Sequence, residues 1–234
     1  MVLSISMGTS TKDNNDDKNI EEMLKEAEDK MYRHKLIENQ STRSSIITSL
    51  GKALEERDIE TEAHTLRMKD YALLFGNVLK LPDSKMDELS LLSTLHDIGK
   101  IGIPDNIVLK PGKLNEEEWI IMKKHPEIGF RIALASADLA ITAKSVLHHH
   151  ERWDGNGYPY GLANTEIPLT SRIISIVDSF DAMMSDRPYR KSLPQEIVLE
   201  EFYKNSGYQF DPELTDIFIN QLLLKNGYKD FKIA

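Results

Sequence analysis

The sequence predicts an all-α fold, and three observations predict it. Apolar residues recur at three- and four-residue spacing along most of the chain. The two-residue alternation of a half-buried strand is nearly absent. Helix-start chemistry stands where several apolar runs begin. At roughly 150 residues per domain, 234 residues make one large domain, or one domain with an appendage.

Taken in order, Val2-Leu3-Ser4-Ile5-Ser6 reads as a short β-like start, and the polar, Asp/Asn-rich stretch Thr9 to Lys18 as a loop. From Ile20 the pattern turns helical through Met23, Leu24, Ala27 and Met31, and a second stripe, Ile46, Ile47, Leu50, Ala53 and Leu54, follows the polar patch Glu38 to Ser45. Two helices or one long connector fit these stripes equally well. Further helices carry Tyr71, Phe75, Val78 and Leu79; Met86, Leu89, Leu92 and Leu95; Ile128 to Ala135; and Ile141 to His150. Asn115 followed three residues later by Glu118 is a capping box, which satisfies exposed N–H groups at a helix start. Asp211-Pro212 marks another start, with an acidic cap and proline in the first turn. Between Arg152 and Pro168, Gly155, Gly157, Pro159 and Gly161 break any helix, so the segment is a structured loop or small hairpin.

Composition narrows the function. Counted without tyrosine and with glycine, the apolar share is about 42%, below the usual ~45–50%, so part of the chain is poorly buried. A net charge of -9 repels nucleic-acid backbone and argues against a DNA partner. No cysteine means no disulfide, thiolate nucleophile or thiolate metal site; any metal must use histidine and carboxylate, and the chain suits a reducing cytoplasm. No stretch approaches the ~20 apolar residues of a membrane span.

Seven histidines carry the chemistry, several with acidic neighbours. His96-Asp97 ends an apolar helical run just before Gly99, so two ligand-capable side chains leave adjacent positions at a helix end, and a carboxylate can bridge two ions. Glu60 lies four residues before His64, on the same helical face. His149 and His150 adjoin the Gly-rich loop. Asp178 sits in an otherwise apolar run, where a carboxylate is costly unless paired or coordinated. Each has a plain alternative: His125 as a hydrogen-bonded core residue, the triple histidine as a polar helix end, Asp178 as a helix cap or the partner of an arginine, His34 as solvated surface. The joint pattern shifts the balance.

That pattern resembles the HD-GYP domain, a branch of the HD superfamily of metal-dependent phosphohydrolases that degrades cyclic di-GMP. The likeness runs from about Leu50 to Leu214 on the segments Arg57 to His64, His96-Asp97-Ile98-Gly99-Lys100 to Pro104, His125-Pro126 with Gly129, His149-His150-Glu151-Arg152 to Gly157-Tyr158-Pro159, and Asp178 to Arg190. The fold it implies is an HD-superfamily helical bundle with the Gly-Tyr-Pro loop beside the metal site. Its implied metal ligands are His64, His96, Asp97, His125, His149, His150 and Asp178, with Glu60 as the ligand of a third metal. Glu151-Arg152 sets the register and makes His148 the extra histidine. Asp97 and Lys100 fall at the catalytic positions, while Lys100, Tyr158, Arg187 and Arg190 fall where the family contacts nucleotide; a solvated lysine or arginine is the plain reading of the cations.

Ser4 to Gly8 with Leu24 to Tyr32 resembles the last strand and helix of a GGDEF domain. Residues 1–40 are therefore expected to be a GGDEF-like tail and linker helix, and residues 41–234 the phosphodiesterase domain. The implied function is hydrolysis of cyclic di-GMP to pGpG, and on to GMP, by a metal-bridging hydroxide. Two or three divalent transition metals serve as cofactors, with Fe or Mn favoured. A GGDEF or other signalling-domain partner at Gly157-Tyr158-Pro159 and a homodimer are further expectations. Competing readings are a phosphohydrolase for another cyclic dinucleotide or nucleotide, and a non-catalytic sensing or docking module.

Overall fold

The computed structural model describes residues 7–11, 19–55, 62–186 and 191–224, with backbone alone at 29, 32–46, 48, 55, 62 and 224. The β-like start, Glu60, Arg187 and Arg190 lie outside the described residues, as does the side chain of His34. The chain divides into two compact units, Met1–Ser49 and Leu50–Ala234. The division between Ser49 and Leu50 lies within one helix.

That helix, α1 (Ile20–Glu55), is continuous through the polar patch Glu38 to Ser45, which decides between the two readings of its stripes. Its start is a capping box that the apolar pattern alone did not reveal: Asn19 Oδ1 accepts from the Glu22 amide at 2.9 Å, and Glu22 accepts from the Asn19 amide at 3.0 Å. Ser10 Oγ donates to Glu26 at 3.0 Å and holds the preceding segment against this helix within the first unit.

The second unit is built on α2 (Glu62–Val78), α3 (Asp83–Leu95) and α8 (Leu169–Met184), which pack on one another. Met68, Ala72 and Phe75 of α2 meet Leu89 and Leu92 of α3 and Ile173, Ile174, Ile176, Val177 and Phe180 of α8, all fully buried. Burial at four of the five positions from 173 to 177 makes α8 the central helix, apolar around most of its circumference. Phe180 and Phe218 lie 5.3 Å apart, with Phe75 5.2 Å and Phe202 5.7 Å from Phe218, and this aromatic cluster closes the end of the core. Phe202 belongs to α9 (Gln195–Asn205), and Phe218 opens a π-helical turn, Phe218–Leu224, that continues α10 (Pro212–Ile217). Asp211 caps α10 through the Glu213 and Leu214 amides, with Pro212 in the first turn, as its sequence predicts.

Shorter helices lie between α3 and α8: α4 (Asp105–Val108), α5 (Glu116–Met122), α6 (His125–Leu134) and α7 (Ala143–Leu147). The predicted Asn115–Glu118 capping box starts α5. A buried carboxylate on α3, Glu88, joins three helices: Ser145 Oγ of α7 donates at 2.5 Å, Thr170 Oγ1 of α8 at 2.8 Å and Lys85 Nζ at 2.7 Å. These bonds repay the desolvation that an isolated buried carboxylate would suffer. Among the described residues there is no strand; one isolated parallel bridge joins Ser206 and Phe210. The segment from Arg152 to Pro168 is a loop and forms no hairpin.

Candidate metal centre

The structure brings seven of the predicted ligands into two groups. Asp97, His125, His149 and His150 place ligand-capable atoms all within 4.8 Å of one another, and His64, His96 and Asp178 do the same. The groups are neighbours: the rings of His96 and His149 are 5.4 Å apart, and His96 precedes Asp97 in the chain. All of these residues except the half-buried His150 and Asp178 are buried.

Each helix delivers its ligand at a defined place. His64 stands in the first turn of α2, Asp178 in the middle of α8, and His125 opens α6. His96 and Asp97 lie where α3 gives way to the 3-10 turn Ile98–Gly102. That turn presses its backbone onto α6, and Gly99 is what lets it: a Cβ there would lie 1.8 Å from the His125 carbonyl oxygen and 2.5 Å from the Gly129 nitrogen. Asp97 is thereby set beside His125. The predicted helix Ile141 to His150 begins as a 3-10 turn, Ala140–Thr142, and its α-helical part ends at Leu147, with His148 at φ -112°, ψ 14°. The early end matters, because consecutive residues of an α-helix point about 100° apart. Leaving the helix lets both His149 and His150 reach Asp97, while His148 points to Glu151 at 3.6 Å and belongs to neither group.

The electrostatics of the first group favour a cation. His125 Nδ1 meets the Met122 carbonyl at 2.8 Å and His149 Nδ1 meets the Val146 carbonyl at 2.6 Å. A carbonyl can only accept, so both Nδ1 atoms carry a proton and Nε2 is the atom through which each ring can act as a ligand. Yet these two Nε2 atoms lie 3.3 Å apart, and Asp97 Oδ1 lies 3.1 Å from one and 3.5 Å from the other. Three acceptors converge on one point. Protonating His149 would relieve the conflict, but burial pushes its imidazole below the ordinary histidine value. A divalent ion answers the same conflict without protonation. In the second group, His96 is buried with neither ring nitrogen hydrogen-bonded. Burial acts to raise the Asp97 carboxyl, but Lys100, His96, His125 and His149 outweigh it and hold the group well below its ordinary value, hence ionised. Lys100 Nζ takes Asp97 Oδ2 at 2.7 Å, which leaves Oδ1 toward His125 and His149.

Sequence reasoning missed Asp181. Fully buried one turn beyond Asp178, it accepts from Arg67 Nε at 2.5 Å and Nη2 at 2.9 Å, and its Oδ2 lies 2.7 Å from His64 Nδ1. Burial would raise its carboxyl, but the bonds from His64 and Arg67 prevail and lower it. The signal was present: the argument that a carboxylate in an apolar helix needs a partner applies to Asp181 as well as to Asp178.

Tyr158 lies over the first group. Its ring stacks on His150 at 4.8 Å and 28°. Glu151, buried, anchors the loop by accepting from the Tyr160 amide at 2.8 Å and the Leu162 amide at 3.1 Å. Gly157 is required by close approach, since a Cβ there would lie 2.3 Å from the Arg152 nitrogen.

The HD domain family model matches residues 38–214. A cyclic di-GMP phosphodiesterase of Thermotoga maritima is 43% identical over 176 residues, covering 74% of this chain and 48% of that protein. A 3'3'-cGAMP-specific phosphodiesterase of Vibrio cholerae is 36% identical over 186 residues, covering 79% and 36%. The chain thus spans about half the length, or less, of these relatives. Among solved structures, a cyclic GMP-AMP-specific phosphodiesterase of Vibrio cholerae superposes with a TM-score of 0.60 at 20% identity, covering 82% of this chain and 51% of the other. The HD domain implies divalent metal binding, and the two His/Asp groups can hold it. The Gly157-Tyr158-Pro159 loop stands beside the histidines of the first group, and the chain belongs to the HD domain family.

Proposed function

We propose that this chain is a metal-dependent phosphodiesterase that opens cyclic di-GMP to pGpG and carries it on to GMP. The observation that supports this most is the convergence of three acceptors, His125 Nε2, His149 Nε2 and Asp97 Oδ1, beside a second ligand group. Paired divalent ions, when bound, supply an activated water and a clamp for phosphate oxygens. His125, His149 and His150 would hold one ion and His64, His96 and Asp178 the other, with Asp97, its carboxylate fixed by Lys100, as a further ligand. Lys100 also offers a cation to the scissile phosphate, and Tyr158 walls the site. Fe or Mn is the favoured metal, Glu60 contributes the ligand of a third ion, and Arg187 and Arg190 receive the outer phosphate. Residues 1–40 are read as a GGDEF-like tail and linker, and the Gly157-Tyr158-Pro159 loop as the docking point of a signalling domain.

The substrate could instead be 3'3'-cGAMP, as a relative of 36% identity is named for that nucleotide. Incubating the Mn- or Fe-loaded chain with each dinucleotide and resolving products by chromatography decides: release of pGpG and GMP from cyclic di-GMP is expected. Turnover of cGAMP alone would reassign the substrate, and turnover of neither would leave a binding module.

Asp181 is a positioning residue in this scheme. Its hold on His64 Nδ1 fixes the ring so that Nε2 serves as the ligand atom. Asp181→Asn is expected to weaken metal binding by about 10- to 100-fold, as loss of such supporting partners does elsewhere. Metal titration monitored by calorimetry checks this, and activity should return at high metal concentration.

A further inference from the structure

We infer that Trp119 of α5 is the stacking wall for a purine base of the substrate, a positioning role that gives affinity without choosing between guanine and adenine. The inference rests on the cyclic-dinucleotide reading above. Trp119 is 46% exposed, unusual for so large an aromatic side chain. Its ring meets Tyr158 edge-on at 6.2 Å and 76°, and Tyr158 in turn stacks on His150 of the first ligand group. A line of aromatic rings therefore runs from the ligands that would hold a phosphate out to the exposed indole. A nucleotide whose phosphate sits at the ligands has its base displaced outward along such a line.

Core packing does not account for the exposed part of the indole. The small apolar cluster beneath α5, Ile103, Ile107 and Val108, is covered by Ile121 and Met122 of the same helix together with Leu114 and Ile128. Trp119, on the same helix, leaves 46% of its surface to solvent. The helix is also held before any ligand arrives, by the Asn115–Glu118 capping box and by Lys110 Nζ on Glu118 at 2.6 Å. A rigidly mounted, half-exposed indole is a preformed platform. Stacking on it is sequence-tolerant, because every base presents a π face.

Trp119→Ala should raise KM about tenfold, within the range that loss of one base–aromatic stack produces. It should do so equally for cyclic di-GMP and 3'3'-cGAMP, with kcat within about threefold of wild type; Trp119→Phe should recover most of the loss. A readout independent of turnover is available because the chain has only two tryptophans. GMP should quench the fluorescence of the wild-type chain but not of Trp119→Phe. A KM within about twofold of wild type, a collapse of kcat at constant KM, or quenching by GMP that survives in Trp119→Phe would each overturn the inference. If the wild type hydrolyses neither dinucleotide, the substrate reading fails by itself. Stacking is then still decided by the GMP titration.

Discussion

Asp97→Ala is expected to reduce cyclic di-GMP turnover to background, a loss of at least about a thousandfold out of accelerations that typically exceed ~10⁶. Asp97 faces both ligand groups: Oδ1 meets His125 and His149, and Oδ2 meets Lys100 at 2.7 Å with His96 at 3.5 Å. Removing it deletes a ligand and leaves Lys100, mostly buried, without the carboxylate it faces. Because that cost falls on stability, Asp97→Asn is the companion variant: it keeps the shape and an acceptor for Lys100 while discarding the charge. Both should retain the helical circular dichroism spectrum, since the Phe75, Phe180 and Phe218 cluster lies elsewhere. His148→Ala is the control. It alters a neighbouring histidine outside both groups and should keep turnover within about threefold of wild type. Activity retained in Asp97→Asn at full metal content would place the chemistry elsewhere.

How the site was legible follows from where its parts lie in the chain. His96-Asp97 and His149-His150 are adjacent pairs at helix ends, and local punctuation, Gly99 and the Gly-rich loop, showed that the chain turns there. Asp178 stood out because it interrupts an apolar run. Which histidine shares an ion with which carboxylate is a tertiary fact: His64 meets Asp178 and His96 only because α2, α3 and α8 pack together. No spacing encodes it. The same holds for Glu88, whose partners Ser145 and Thr170 are 57 and 82 residues away. The single course of α1 was undecidable from periodicity because its middle, Glu38 to Ser45, is polar. The early end of α7 escaped because the apolar stripe of Ile141 to Leu147 runs directly into the histidines, with no glycine or proline to mark the stop.

Stripping the metal should destabilise the fold as well as silence it. A ligand that binds only the native state adds about 4 kcal/mol when its concentration is a thousandfold above Kd. For a chain of this size that corresponds to roughly 10 °C in Tm. Here the gain has a local origin: without a cation, the lone pairs of His125 and His149 oppose each other and Asp97 Oδ1, and the ring nitrogens of His96 stay buried and unsatisfied. Chelation followed by dialysis is therefore expected to abolish turnover and lower the melting temperature by about that amount, and restoring Mn or Fe should recover both. In Asp97→Asn the metal-dependent shift should shrink, since the ligand between the two groups has lost its charge. Identical melting of stripped and reloaded chain, with metal content measured in each, would mean that the histidines are satisfied without an ion. The convergence of acceptors would then have to be explained by protonated rings.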